Sequence, residues 1–378
     1  MSNQNKMNIP PVKAYFPEED RKWVTTKIDE MLQSGMLTLS TLGKEFEKEV
    51  CQLTGAQYAV AVNSGTSAIE IPLRILDVAG KDVLVPTNTF FATGAAVVHA
   101  GGNPVFVDMN PETFAISPEN LGKKLTPKTV GVVLVHIAGL VSYQTPEIAD
   151  WCKKKGLWLL EDAAHAHGST YKGKHAGTFG IAGTFSFYPT KVITSGEGGV
   201  IITNDKKIFE EAQLYRDQGK TSFLTNTHGK MGYNWRLSEP HAAIGLVQLR
   251  RLKEILAKRA KIGSFYNEEL KNVSFGKPLS IPQEGFTNYY KYIFTPDKPF
   301  TDRAAFKKSF KEKTGVSLTG EVYELPLHKQ PVFQKWTGGN LAVAEDLCAK
   351  HICLPIFPSM TMDEAKHVIA SLKEAFHG

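Results

Sequence analysis

Between about residue 17 and residue 250 the chain repeats one unit, a short and almost wholly apolar run followed by a stretch with helical periodicity. Tyr58-Ala59-Val60-Ala61-Val62 is such a run, and Ser67 to Leu76 carries the helical pattern after it. Asp82 to Pro86, Pro104 to Asp108, Thr129 to His136 and Leu157 to Asp162 are further runs, with helices expected at Ala92 to His99 and Pro146 to Lys154. A strand apolar on both faces must be covered on both, whereas a sheet with one wet face would alternate polar and apolar residues. The rhythm therefore predicts an α/β fold built on a mainly parallel mixed sheet covered by helices. Ligands on such sheets gather at the carboxyl ends of strands. Asp162 and the turn Asn63-Ser64-Gly65-Thr66 both fall there.

From about Leu249 the texture changes. A charged helical stretch, Arg250 to Leu270, leads into Tyr289-Tyr290-Lys291-Tyr292-Ile293-Phe294 and then into alternating strand and helix. This predicts an N-terminal segment and large domain over residues 1–250, and a smaller α+β domain over residues 251–378 that packs across the mouth of the first. A chain of 378 residues has room for both.

The net charge of +6 is thinly spread. The run Lys153-Lys154-Lys155 reads as a solvated helix end rather than a nucleic-acid patch, and no nucleic-acid partner is expected. Cys51, Cys152, Cys348 and Cys353 form no CxxC pair and no metal spacing, so they read as free thiols in a reducing compartment. The N-terminal residues lead to no signal-like apolar run, and no stretch approaches the roughly 18–20 apolar residues of a membrane span. A cytoplasmic protein with no membrane partner is expected.

Two segments carry chemistry. Trp158-Leu159-Leu160-Glu161-Asp162 ends an apolar strand on a carboxylate and continues through Ala163, Ala164, His165, Ala166, His167 and Gly168. Thr184-Phe185-Ser186-Phe187-Tyr188-Pro189-Thr190-Lys191 ends on a lysine and is followed by Gly196-Glu197-Gly198-Gly199. A semi-buried carboxylate needs a cation to stay ionised. A protonated pyridine nitrogen is such a cation, a lysine can link to an aldehyde as a Schiff base, and a serine hydroxyl can take a phosphate. Asp162, Lys191 and Ser186 together predict pyridoxal 5'-phosphate, with Lys191 as the catalytic residue. Gly65, Thr66 and Ser67 open a helix after a strand, where N–H groups and hydroxyls suit a phosphate; a plain N-cap uses the same residues. His165, three residues after Asp162, has the chemistry to stack on the ring or bond its phenolic oxygen, although a lone histidine is more often a satisfied structural group, and Phe90 can cover one ring face, although an aromatic after a strand is more often core.

The same segments, with Tyr233-Asn234-Trp235-Arg236-Leu237-Ser238-Glu239, Ala242-Ala243-Ile244-Gly245-Leu246 and Cys353-Leu354-Pro355-Ile356, resemble the DegT/DnrJ/EryC1/StrS family of sugar aminotransferases over about residues 9 to 375. The resemblance implies the fold-type I aspartate aminotransferase architecture and a homodimer with shared sites. It implies Lys191 as the cofactor-linked lysine, Asp162 at the pyridine nitrogen and His165 and Phe90 against the ring. Thr66, Ser67 and Ser186 would hold the phosphate, with Asn234 reaching it from the neighbouring subunit. Some relatives that dehydrate have histidine in place of Lys191, so the lysine favours transamination. Many members have histidine where this chain has Tyr188, and the run Ile193 to Gly199 looks more like members acting at sugar C4 than at C3.

The expected reaction moves an amino group from L-glutamate to a nucleotide-linked keto sugar, with pyridoxamine phosphate as the intermediate cofactor form. A keto-inositol aminotransferase of the same fold, a dehydratase and a catalytically silent sensor or scaffold are the alternatives.

Overall fold

The computed structural model of the chain describes residues 7–222, 224–336 and 339–377. Its large sheet has seven strands, in the order Tyr58–Val62, Gly199–Thr203, Ala182–Ser186, Trp158–Asp162, Thr129–Val135, Asp82–Pro86 and Asn103–Val107. Gly199–Thr203 runs antiparallel to both its neighbours, and the other pairings are parallel. The sheet is thus mainly parallel and mixed, and each apolar run lies within a residue of its strand. Successive residues feed opposite faces, as the two-residue strand period requires. Val60, Val62, Val133 and Leu160 enter one core. Ala59 and Ala61 face a second, and Val132, Leu134 and Leu159 a third.

Beyond the large sheet, Gly276–Pro278, Tyr292–Pro296 and Ile352–Leu354 form a three-stranded antiparallel sheet. Helices Arg303–Thr314 and Met362–His377 belong to the same C-terminal part. Its separate core gathers Tyr266, Phe294, Phe310 and Leu372, each worth roughly 1.5–3 kcal/mol when fully buried.

A single helix joins the two cores. It spans Glu239–Leu270, beginning eleven residues before the charged stretch at Arg250 that marked it in the sequence. Its start carries a signal, Ser238 in the N-cap position with Pro240 in the first turn. Residue 250 lies inside this helix, with no break there. Leu246 and Leu252 pack on the large-sheet core, and Ile262, Tyr266 and Leu270 pack on the small one. The N-terminal segment also reaches across: Ile9 is fully buried in the small core and exchanges backbone hydrogen bonds with Gly315 and Ser317.

Helix Thr145–Lys154 ends on the exposed lysine run, as expected of a solvated helix end. Three of the four free cysteines are buried, and Cys51 is half-buried. Among the described residues no helix is long and apolar enough to cross a membrane.

Candidate active site

A cavity of about 430 Å³ opens at the carboxyl ends of the parallel strands. Asp162, the last residue of the central Trp158–Asp162 strand, forms its floor. Its carboxylate accepts from Thr93 Oγ1 at 2.7 Å and from the Ala164 N–H at 3.1 Å. Burial pushes its pKa up, against the pull of those two bonds and of Lys191 and His136. The carboxylate is short of a cation, and a cationic ring nitrogen supplies one.

Lys191 stands at the end of a tight turn closed by its own N–H on the Tyr188 carbonyl, 2.9 Å. The turn is pinned from below, where Thr194 Oγ1 and the Ser195 N–H both donate to the Phe187 carbonyl. Proline at 189 fixes the turn's direction. Burial brings the Lys191 amine down to about 8; the Asp162 carboxylate opposes this, and Lys291 adds to it. Roughly a tenth of the amine is therefore unprotonated at pH 7, far more than of an ordinary lysine. Nζ lies 5.0 Å from the centre of the Tyr290 ring.

The third element is the turn into helix Gly65–Ile75. Ser64 caps it, accepting from the Ser67 N–H at 3.1 Å. Gly65 has to lack a side chain: a Cβ there would sit 2.7 Å from Ser186 Cβ. Gly199 is needed for a similar reason, since its Cβ would meet the Ser64 carbonyl oxygen at 2.1 Å. The free N–H groups of the helix's first turn, the Thr66 hydroxyl and the Ser186 hydroxyl thus converge at one end of the cavity.

His165, Tyr290 and Tyr323 make the wall beside Asp162. His165 stacks on Tyr290 at 4.2 Å between centroids, and its Nε2 lies 3.0 Å from the Tyr323 hydroxyl. Burial first, then the charges of Lys191, Lys291 and His167, hold His165 well below the ordinary histidine range, so it is neutral. Phe90 precedes helix Phe91–His99 and is 55% exposed, its ring turned to the cavity rather than to the core.

The structure therefore brings Asp162, Lys191, His165, Ser186, Gly65, Thr66 and Phe90 to one cavity. Ser67 is not part of the lining: it is buried, and its hydroxyl donates to Asn63 Oδ1 at 2.8 Å and lies 2.9 Å from the Ser64 carbonyl. Asn234 is exposed and does not line this chain's cavity. It is held between Tyr233 and Trp235, whose rings stack at 4.0 Å, with the Arg74 guanidinium over Tyr233.

Thr93 and Tyr290 are site residues that the sequence reading did not assign. Thr93 lay in plain view in the Thr87 to Thr93 segment, one helical turn past Phe90. Tyr290 had no signal beyond a cluster of tyrosines. His167, which the motif also contains, is sealed between Phe185 and Phe187 away from the cavity, and burial brings its pKa down to about 3.

The residues fit pyridoxal phosphate: a buried carboxylate short of a cation, a partly neutral lysine beside it, and a glycine-opened helix terminus next to a serine. This fold and this site define a pyridoxal-phosphate-dependent aminotransferase. The chain belongs to the DegT/DnrJ/EryC1/StrS aminotransferase family, whose profile matches residues 18–373. It is 31% identical to GDP-perosamine synthase of Escherichia coli O157:H7 over 88% of this chain and 90% of that one. It is 30% identical to UDP-N-acetyl-3-dehydro-alpha-D-glucosamine 3-aminotransferase of Acidithiobacillus ferrooxidans over the full length of both. Among solved structures it resembles Helicobacter pylori PseC, an aminotransferase in pseudoaminic acid biosynthesis, with a TM-score of 0.91 and 27% identity over 98% of this chain and all of that one. The family assignment makes the chain a sugar aminotransferase.

Proposed function

We propose that this sugar aminotransferase moves the amino group of L-glutamate to a nucleotide-linked keto-deoxysugar in aminosugar biosynthesis, using pyridoxal phosphate. The observation that carries the reading is the buried Lys191 amine, lowered to about 8 and sharing a cavity with the buried Asp162 carboxylate. A lysine with that proton affinity serves as nucleophile and then as proton carrier near neutral pH.

When bound, pyridoxal phosphate supplies an aldehyde for Lys191 and an electron-withdrawing ring. Asp162, fixed by Thr93 and Ala164, stays ionised against the ring nitrogen and orients it. Gly65, Thr66 and Ser186 hold the phosphate at the helix terminus. His165 and Phe90 border the ring. The free Lys191 amine would take the proton from the donor's α-carbon in the first half-reaction and deliver one to the sugar carbon in the second. Tyr290 beside it restricts where that amine can swing.

A homodimer completes the site in this reading. Asn234 is presented outward on the Tyr233–Trp235 stack, and near it Leu224 and Met231 are 99% and 91% exposed. Such apolar exposure suits a surface that a second copy covers. Ser67 supports the phosphate turn from behind through Ser64 and Asn63. The run Ile193 to Gly199 supports amination at sugar C4.

The test is the visible absorption of the purified protein before and after adding L-glutamate without sugar. A cofactor band that fades while 2-oxoglutarate is released supports the reading; a protein with no band after cofactor is added overturns it. Supplying 4-keto and 3-keto nucleotide sugars separately, and a keto-inositol, then identifies the acceptor. Product only from a 3-keto sugar would overturn the C4 assignment.

A further inference from the structure

Two amines share the Tyr290 ring. Lys191 Nζ lies 5.0 Å from its centre and Lys291 Nζ 5.5 Å. Lys291 does not line the main cavity; it borders a pocket of about 20 Å³ behind it, with Thr287, Tyr289 and Ile293. Its side chain makes no ion pair with a carboxylate among the described residues, and the carboxylate that acts on it, Glu321, is already paired with Lys307 at 2.7 Å. The other groups facing it are Tyr290, Arg259 from the long helix and the Cys353 thiol from strand Ile352–Leu354, which burial keeps protonated. Burial lowers the Lys291 pKa, with Arg259 and Lys307 adding to the effect and Cys353 and Glu321 opposing it. The side chain is less enclosed than that of Lys191 and keeps its proton at neutral pH.

The titratable groups around Lys191 are Asp162 at the strand end, His165 and His167 on the turn after it, Tyr323, the pair Tyr290 and Lys291, and Tyr188 and Glu197 from its own loop. Burial keeps both histidines neutral and both Tyr290 and Tyr323 protonated. Glu197 is exposed, where solvent and salt screen it. The Lys191 ammonium therefore answers to two enclosed charges of opposite sign, Asp162 and Lys291. We propose that Lys291 is a positioning residue for Lys191: its ammonium, held behind the Tyr290 ring with no carboxylate of its own, repels a proton on the Lys191 amine and keeps that amine available as a nucleophile. The inference deepens the aminotransferase reading above and rests on it. Across a separation spanned by one aromatic ring, a like charge in an enclosed setting shifts its neighbour by roughly one pH unit. Lys291 touches neither cofactor nor substrate in this arrangement, so its effect reaches the reaction through Lys191 alone.

Lys291→Met keeps the length of the side chain and removes its charge, whereas Lys291→Arg keeps the charge. In the cofactor-free protein, the rate at which trace acetic anhydride acetylates Lys191 across pH, followed by mass spectrometry, titrates the amine without any cofactor. The wild-type midpoint is expected at about 8. The Lys291→Met midpoint is expected roughly one unit higher, and the Lys291→Arg midpoint with the wild type. Covalent capture of pyridoxal phosphate at pH 7 should then slow roughly tenfold in Lys291→Met, because the free-amine fraction falls by that factor. An unmoved midpoint in Lys291→Met would overturn the proposal. So would an equal shift in both variants, which would make packing against Tyr290 responsible rather than charge. A wild-type protein that captures no pyridoxal phosphate would overturn the aminotransferase reading, and with it a role for Lys291 in the reaction; it is told apart from the other outcomes by the absence of any cofactor band.

Discussion

Gly65 and Ser186 approach so closely that a methyl group on Gly65 would lie 2.7 Å from Ser186 Cβ and 3.1 Å from its Oγ. The contact joins the start of a helix to the end of a strand more than a hundred residues later, and it sets the width of that end of the cavity. Gly65→Ala should push the two elements apart or rotate the serine. An overpacked contact costs about 1–3 kcal/mol, so cofactor affinity should fall roughly 10- to 100-fold. Fluorescence titration of the cofactor-free protein measures this, and an unchanged dissociation constant would remove the phosphate role from this corner.

Lys191 fixes a pH dependence. Its folded-state pKa is lowered from 10.5 to about 8, so below that range the proton is bound less well in the folded chain than in the unfolded one. The cofactor-free protein should therefore gain stability from this group as pH rises from about 8 to 10.5, the reverse of a lysine in an ion pair. The rate at which that protein captures pyridoxal phosphate should climb with pH and level off above about 8, because only the free amine attacks. Lys191→Ala should abolish turnover, and its rate of covalent capture should be zero at every pH.

Asp162→Asn separates folding from function. Burial raises the Asp162 pKa, so its charge is a cost to the cofactor-free protein. The amide oxygen can keep the Ala164 N–H bond on the Oδ1 side while its NH2 donates to a turned Thr93 Oγ1, and the group carries no charge to desolvate. The melting temperature without cofactor should hold or rise, while turnover falls on the order of 10²–10³-fold for want of the oriented charge. The Lys191 midpoint should also drop below about 8, since Asp162 is the group that holds it up. A midpoint that did not move would mean the two residues do not sense each other.

These residues were legible in the sequence because each sits in a contiguous segment whose chemistry is local. Asp162 ends an apolar strand, Lys191 ends a proline turn, and Gly65 opens a helix. Five of the seven large-sheet strands were legible because residues buried on both faces leave an unbroken apolar run; Ala182–Ser186, with glycine, threonine and serine among its five residues, leaves none. What the sequence hides is the arrival of side chains from elsewhere. Thr93 comes to Asp162 from 69 positions away, and Tyr290 meets His165 across 125, with no pattern in either segment to announce it. Ser67 shows the opposite difficulty, because a helix's first turn and a phosphate site favour the same residues. Only the geometry shows its hydroxyl spent on Asn63. The early start of helix Glu239–Leu270 was signalled by Ser238 and Pro240, but the apolar Ala242 to Leu249 stretch lacks the charged face that identifies its second half.

Arg259 gives the test that links the long helix to the cavity. It is 4% exposed, and its guanidinium donates to the carbonyls of Asn288, Tyr289 and Tyr290, at 3.0 Å to Asn288 and 3.1 Å to Tyr290. Among the described residues it has no carboxylate partner; burial lowers its pKa to about 10, so the group remains charged at neutral pH and is held by backbone oxygens alone. Those carbonyls belong to the turn that delivers Tyr290 to the Lys191 amine and stacks it on His165. Arg259→Met keeps most of the volume and leaves three buried acceptors without donors, which should cost about 3 kcal/mol. The denaturant midpoint should fall with the slope unchanged. If the turn then relaxes, Tyr290 leaves the lysine, and the pH at which cofactor capture levels off should shift with it. Loss of stability with an unmoved capture profile would show instead that the turn holds its shape without the arginine, and that contacts such as those with His165, Lys191 and Thr190 keep Tyr290 in place.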